Sequence, residues 1–210
     1  MTLKKRALGI DYGTTAFNPA QQVQKYAAAL TKGLASESAH LIIEPGRFIV
    51  AQAGALLTRV LFVKKNGSKT FVITDAGMND LLRPSLYQAY HEITVIDAPA
   101  GKAEEAAGHA LASAPSATSP SSAPVDVVGP NCESGDFLAL DRTLPGAGPG
   151  ALLAVLGAGA YGFGMSFQYN SRPRAAEVLM DGERYAVIRQ RETADDLMRG
   201  ERVDPDWRDA

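Results

Sequence analysis

Residues 57–74 read Leu57-Thr-Arg-Val-Leu-Phe-Val-Lys-Lys-Asn-Gly-Ser-Lys-Thr-Phe-Val-Ile-Thr74. Leu57 to Val63 and Thr70 to Thr74 are rich in β-branched, aromatic and other apolar residues. Lys65-Asn66-Gly67-Ser68 between them is a hairpin signal, because Asn-Gly accepts positive φ without strain. Further short strands are expected at Ile93–Ile96, Val125–Val128, Phe137–Leu140 and Tyr185–Arg189. Met180-Asp181-Gly182-Glu183 marks a second tight hairpin. Short strands separated by turn signals describe an antiparallel sandwich or Greek-key barrel.

Before residue 55 the texture is different. Asn18-Pro19 is a good helix start, since Asn caps and Pro fits the first turn. Val23, Tyr26, Leu30 and Leu34 then recur at three- and four-residue spacing, one apolar face of a helix ending near Gly33 to Ser36. A strand is expected at Leu41–Ile43, followed by Glu44, the Pro45-Gly46 bend and Arg47. A β/α barrel needs eight strands and about 250 residues, so this stretch is at most a piece of one. The expected fold class is therefore α+β: a remnant of a β/α barrel (one helix and the last strand), followed by an antiparallel β domain. The expected boundaries are 1–54 for the remnant, 55–194 for the β domain and 195–210 for a charged tail. The Ala/Ser/Pro-rich stretch 99–124 has the composition of a disordered surface loop.

Composition narrows the function. A formal charge of −2 and no basic stripe argue against a nucleic-acid footprint. No apolar run reaches the roughly twenty residues of a membrane span. Leu152 to Phe167 is the most apolar stretch, and its glycines suit a buried strand and turn. The basic start, Met1 to Arg6, is not followed by an apolar segment of the kind a secretory signal carries. One cysteine excludes an internal disulfide framework and suits a reducing compartment. That cysteine and three scattered histidines make a structural zinc site a poor expectation. A cytoplasmic protein is expected.

Four blocks carry candidate chemistry. His40-Leu-Ile-Ile-Glu-Pro-Gly-Arg47 puts a carboxylate, a glycine and a guanidinium at one strand end, where α/β barrels place their chemistry. Gly46 permits close approach of a ligand, and Arg47 suits an anionic group on it. Asp75-Ala-Gly-Met-Asn-Asp80 runs into Arg83-Pro-Ser-Leu-Tyr87, where an arginine fork and a tyrosine hydroxyl could share one carboxylate. Val128-Gly-Pro-Asn-Cys132-Glu133-Ser-Gly-Asp136 holds the lone cysteine in a loop. Gly157-Ala-Gly-Ala-Tyr161-Gly162 leads to Tyr169-Asn-Ser-Arg-Pro173. Each has a bland reading as well: a surface turn, a surface arginine, a small buried cysteine, a buried aromatic. Asp75 and Asn79 read as turn formers, and Tyr169-Asn170 as supporting architecture.

In this order and spacing, from Leu8 to about Ala194, the blocks resemble the C-terminal half of the pyridoxal-phosphate decarboxylases of the alanine-racemase-like fold. Within that group they are most similar to the diaminopimelate decarboxylases, which form L-lysine from meso-2,6-diaminopimelate. The resemblance implies pyridoxal 5'-phosphate as cofactor and a homodimer whose site is shared between protomers. It implies that Glu44 faces the pyridine nitrogen, that Gly46 and Arg47 lie on the phosphate side, and that Arg47 also faces the substrate. Tyr161 would close over both cofactor and substrate, while Arg83 and Tyr87 hold a substrate carboxylate. Cys132 would reprotonate the carbon that loses carbon dioxide, and Glu133 would meet the distal ammonium. No metal is implied. Carboxynorspermidine, arginine and ornithine decarboxylases are the alternatives within the group, and a non-catalytic regulatory subunit is an alternative outside it.

Two parts of the pattern are missing. The cofactor-binding lysine belongs in a Tyr-Ala-x-Lys-Ala-like context, and none of the lysines here has it. Lys4-Lys5-Arg6-Ala7 stands where the triple-glycine phosphate loop should precede Leu8. The chain therefore looks like a C-terminal portion, expected to be inactive alone.

Overall fold

A computed structural model describes residues 18–34, 42–97, 123–205 and 207–208. Helix α1, Pro19–Leu34, begins where expected. The Asn18 side-chain oxygen accepts the Gln21 N–H at 3.1 Å, satisfying one of the orphan donors of the first turn. None of the residues of α1 is fully buried: Tyr26, Leu30 and Leu34 of its apolar stripe are half-buried and Val23 is exposed.

The strand expected at 41–43 is not formed in its described part: residues 42–45 have no regular structure, and Leu41 lies outside the described residues. Ile42 is 82% exposed. A strand is held by its neighbour's hydrogen bonds, and no described strand pairs with this segment. A short helix follows, α2 at Gly46–Val50, extended by a 3-10 turn at Ala51–Ala53 that buries Ala51.

Strands β1 (Ala55–Asn66) and β2 (Lys69–Thr74) form the hairpin read from residues 57–74. Asn66 pairs with Lys69, and Gly67 between them takes φ +59°. Helix α3 (Arg83–Tyr87) and strands β3 (Ile93–Asp97), β4 (Val125–Val128), β5 (Phe137–Arg142) and β6 (Leu152–Leu156) follow. All the strands expected between 57 and 140 are present, and the apolar run from Leu152 begins with the buried strand β6.

These six strands make one sheet in the order β3-β6-β1-β2-β4-β5. The first half of β1 pairs with β6 and the second half with β2, and the β1–β2 register slips at a bulge between Val60 and Phe62. One pair departs from the antiparallel expectation: β2 and β4 run parallel, Val72 facing Val127. A parallel neighbour requires a long crossover, and here the chain makes it through α3, β3 and residues 98–122, which lie outside the described residues together with most of the 99–124 loop. Val60, Val72, Leu81, Val127, Leu153 and Val155 form the centre of the core. Full burial of one such side chain stabilises by roughly 1.5–3 kcal/mol.

Strands β7 (Glu177–Asp181) and β8 (Arg184–Arg189) form the second expected hairpin, with Gly182 at φ +60° in its turn. Every residue of β8 is exposed. Beyond it, Glu192 accepts hydrogen bonds from the Arg174 backbone N–H at 2.9 Å and from its guanidinium. Helix α4 (Ala194–Met198) starts on a capping box, with the Thr193 hydroxyl accepting the Asp196 N–H and the Asp196 carboxylate accepting that of Thr193.

Candidate cofactor and substrate site

The loop after β6 sits directly on the exit of α2. Gly159 donates its N–H to the Ala51 carbonyl at 3.0 Å, and Ala158 donates to Gly54 at 2.9 Å. This approach requires glycine, because a Cβ on Gly159 would stand 2.0 Å from the Val50 carbonyl oxygen. The contact brings two expected site residues together: the Arg47 guanidinium carbon lies 5.7 Å from the centre of the Tyr161 ring. Tyr161 takes φ +59°, a left-handed conformation that costs a non-glycine residue energy and persists only where surrounding contacts impose it. The residue is 52% exposed, which leaves it accessible to a ligand.

Arg47 Nε is buried and has no hydrogen-bond partner, an orphaned donor of the kind a bound anion satisfies. A Cβ placed on Gly46 would meet nothing within 4 Å, so the space beside the turn is open. Glu44, three residues before Arg47, is exposed. A phosphate-suited guanidinium, open space at a glycine and a half-exposed tyrosine fit the cofactor that the sequence implies.

The second group is built around α3. Arg83 and Tyr87 are four apart on this helix, so both lie on one side of it. Their burial differs sharply: Arg83 is 6% exposed and Tyr87 is 62% exposed. The reading of Arg83 as an incidental surface arginine is thereby excluded. The Ser85 hydroxyl, also on α3, donates to the Gly135 carbonyl at 2.6 Å and so ties this helix to the cysteine loop.

That loop, residues 129–136, is organised by one buried carboxylate. Asp136 accepts N–H bonds from Met78 at 2.6 Å and from Asn131 at 2.7 Å. Charge-assisted bonds of this kind are about twice as strong as neutral ones. Gly77 and Gly129 leave the room: a Cβ on either would come within 2.5 Å of Asp136 Oδ1. The loop's other side is held by Asn131, which donates to the Asn79 side-chain oxygen at 2.5 Å. Asn79 in turn donates to the Tyr169 carbonyl at 2.8 Å. Asn79 and Tyr169 thus act as architecture.

On this frame Cys132 and Glu133 are both exposed, and Cys132 is a free thiol. Glu133 accepts the Gly135 N–H at 3.0 Å, and the Tyr169 hydroxyl approaches it at 3.4 Å, a long contact. Arg47 therefore meets Tyr161, and Arg83 and Tyr87 share a frame with Cys132 and Glu133. The link between the two groups runs through His91, which contacts both Arg83 and the end of β6.

Sequence reasoning missed four of the residues that build this arrangement: Ser85, His91, Asn131 and Asp136. Ser85, Asn131 and Asp136 stand inside the quoted motifs, where spacing beside Arg83 and Cys132 was the available signal. His91 stands outside them, and only a lone histidine just before an expected strand marked it.

Comparison with known proteins identifies the family. Residues 25–159 match the family model described as pyridoxal-dependent decarboxylase, C-terminal sheet domain. The chain is 47% identical over 188 residues to diaminopimelate decarboxylase of Aquifex aeolicus, covering 90% of this chain and 40% of the relative. It is 48% identical over 180 residues to the enzyme of that name from Pseudomonas aeruginosa, covering 86% of this chain and 39% of the relative. The crystal structure of Helicobacter pylori diaminopimelate decarboxylase complexed with L-lysine superposes with a TM-score of 0.67 at 41% identity, over 91% of this chain and 42% of that one. The chain thus spans about 40% of the length of the curated relatives it matches. With a family model matched over residues 25–159, the chain belongs to the pyridoxal-dependent decarboxylases, matching the C-terminal sheet domain of that family.

Proposed function

We propose that this chain is the C-terminal part of a diaminopimelate decarboxylase, which removes carbon dioxide from meso-2,6-diaminopimelate to give L-lysine. The observation that carries the reading is the Arg47–Tyr161 pair, whose guanidinium holds a buried nitrogen with no hydrogen-bond partner beside the turn at Gly46. The similarity to diaminopimelate decarboxylases supports the substrate. The reading takes the cofactor-binding lysine to come from the part of the relatives' length that this chain does not match.

Pyridoxal 5'-phosphate, when bound, supplies an electron sink for the bond that breaks at the amino acid's Cα. Glu44 would hold the proton on its ring nitrogen, and Gly46 and Arg47 would hold its phosphate side, Arg47 also facing the substrate. Tyr161 would cover cofactor and substrate and keep water out. A substrate with two amino-acid ends needs an anion partner and a cation partner at once. Arg83 and Tyr87 supply donors for a carboxylate, and Glu133 supplies a carboxylate for the distal ammonium. When the Cα–carboxylate bond breaks, carbon dioxide leaves and its electron pair stays on carbon. The Cys132 thiol returns a proton to that carbon.

Cys132 and Glu133 are exposed on a rigidly framed loop, which suits a site completed by a second protomer, and the enzyme is read as a homodimer. A cytoplasmic location goes with this reading.

The test is a chimera in which this chain replaces the matched part of the Aquifex aeolicus relative. The expected result is release of carbon dioxide from meso-diaminopimelate with L-lysine as product. A folded, cofactor-loaded chimera that decarboxylates ornithine or arginine and leaves diaminopimelate untouched would overturn the substrate assignment.

A further inference from the structure

His91 is fully buried, and nothing in the chemistry above uses it. Its place follows from the end of α3. Gln88 takes a left-handed conformation at φ 52°, and the Ala89 N–H reaches back to the Arg83 carbonyl at 3.3 Å. The chain reverses there, and His91 returns to face the guanidinium eight residues earlier. Its two ring nitrogens meet different elements: Nε2 lies 3.1 Å from Arg83 Nη1, and Nδ1 lies 2.9 Å from the Leu156 carbonyl at the end of β6.

The chemistry of the partners fixes the roles. A guanidinium can only donate and a carbonyl can only accept. The ring must therefore accept at Nε2 and donate from Nδ1, which is one of the two neutral tautomers. A second proton would set two donors against each other at Nε2. Burial holds the imidazole pKa below its ordinary range, against the raising pull of the Leu156 carbonyl, and the Arg83 and Arg142 cations add to the lowering. The ring has little freedom to slide, because Leu156 also donates its N–H to the Glu92 carbonyl at 2.8 Å, clamping the residue next to His91 onto β6.

We infer that His91 is a positioning residue: by accepting from Arg83 Nη1 it sets the angle at which that guanidinium meets the substrate carboxylate, and by donating to Leu156 it ties that angle to the strand leading into the Tyr161 loop. The inference rests on the proposed role of Arg83 as carboxylate ligand. A histidine that only satisfied its own buried nitrogens would share this tautomer, so the substrate KM separates the two roles.

Two measurements test it. In the full 210-residue chain with 15N-labelled histidine rings, the signal lost in His91→Gln identifies His91 among the three histidines. We expect a protonated Nδ1 and a bare Nε2; a protonated Nε2 overturns the inference, whatever the substrate. In the chimera described above, His91→Leu removes the acceptor, whereas His91→Gln retains an acceptor oxygen near the Nε2 position. For His91→Leu the KM for meso-diaminopimelate should rise about tenfold, the size of one lost hydrogen bond to a charged group, with kcat within about threefold. His91→Gln should recover most of that KM. Equal KM in the leucine variant and the unsubstituted chimera, or a loss in kcat alone, overturns the positioning role. A chimera that never acts on diaminopimelate, with the expected tautomer intact, instead counts against the proposed substrate.

Discussion

The six-stranded sheet and the β7–β8 hairpin are built from similar residues, and water treats them in opposite ways. Val127 and Leu153 in the sheet are fully buried, whereas Leu179 and Ile188 in the hairpin are more than half exposed. Both hairpins close on a tight turn with glycine at positive φ, so turn chemistry does not separate them. Neighbours do. The first hairpin is flanked by β6 on one side and β4 on the other, while among the described residues β7 and β8 pair only with each other. A two-stranded hairpin is marginal alone, whereas a wider sheet with a covered face sustains itself. The difference also sorts the site. The buried polar ties that frame it, through Asp136, Asn79 and His91, all lie in or against the large sheet, and the buried Arg83 and the exposed Tyr87, Cys132 and Glu133 stand on that frame.

Substitutions can break this contrast in order of size. Leu153→Ala should cost about 3–4 kcal/mol, because its site is fully enclosed and collapses poorly, and urea denaturation of the two proteins measures it. A loss under about 1 kcal/mol would mean that the sheet core is looser than its burial indicates. Asp136→Ala should cost about 2–3 kcal/mol, since the Met78 and Asn131 amides lose a charged acceptor. Hydrogen exchange should accelerate at those two amides first, and unchanged exchange would show that the carboxylate does not organise the loop.

A smaller effect is expected where Glu192 holds the chain beyond β8. Hydrogen bonds from the Arg174 guanidinium, then from Gln168 and the Arg174 backbone, lower its pKa from 4.5 to about 2. A carboxyl held below its unfolded value stabilises the fold fully above about pH 4.5, and that contribution fades as pH falls toward about 2. The stability difference between the unsubstituted chain and Glu192→Gln should therefore be present at neutral pH and shrink on acidification through that window. A difference independent of pH would mean that the pair contributes through shape alone. The smallest change is in the hairpin: Leu179→Ala should alter stability by less than about 0.5 kcal/mol, as for an exposed surface position. A loss comparable to Leu153→Ala would show that the hairpin's apolar faces are covered in solution.

Much of the fold was legible because its signals are local. Asn66-Gly67 and Asp181-Gly182 marked turns through the backbone angles their residues accept, and Asn18-Pro19 marked a helix start through a cap. The parallel pairing of β2 with β4 was not legible, since nothing in either strand encodes which distant strand lies beside it. The apolar run at 41–43 misled for the same reason: apolar character fits a strand, but strand formation depends on a partner. At the candidate site, Arg47, Tyr161, Arg83 and Cys132 were singled out by residue type together with the order of the four blocks that carry the family resemblance. Asp136 and His91 were not, because burial and aim give them their roles, and both arise only in three dimensions.

The most direct test of the account is a single substitution at the exposed end of the framed loop. Cys132→Ala, placed in the chimera with the Aquifex aeolicus relative, should leave stability and bound cofactor unchanged. It should lower the rate of L-lysine formation from meso-diaminopimelate by about 100-fold or more, as expected for loss of a positioned proton donor. Full-rate formation of L-lysine by that variant would contradict the account.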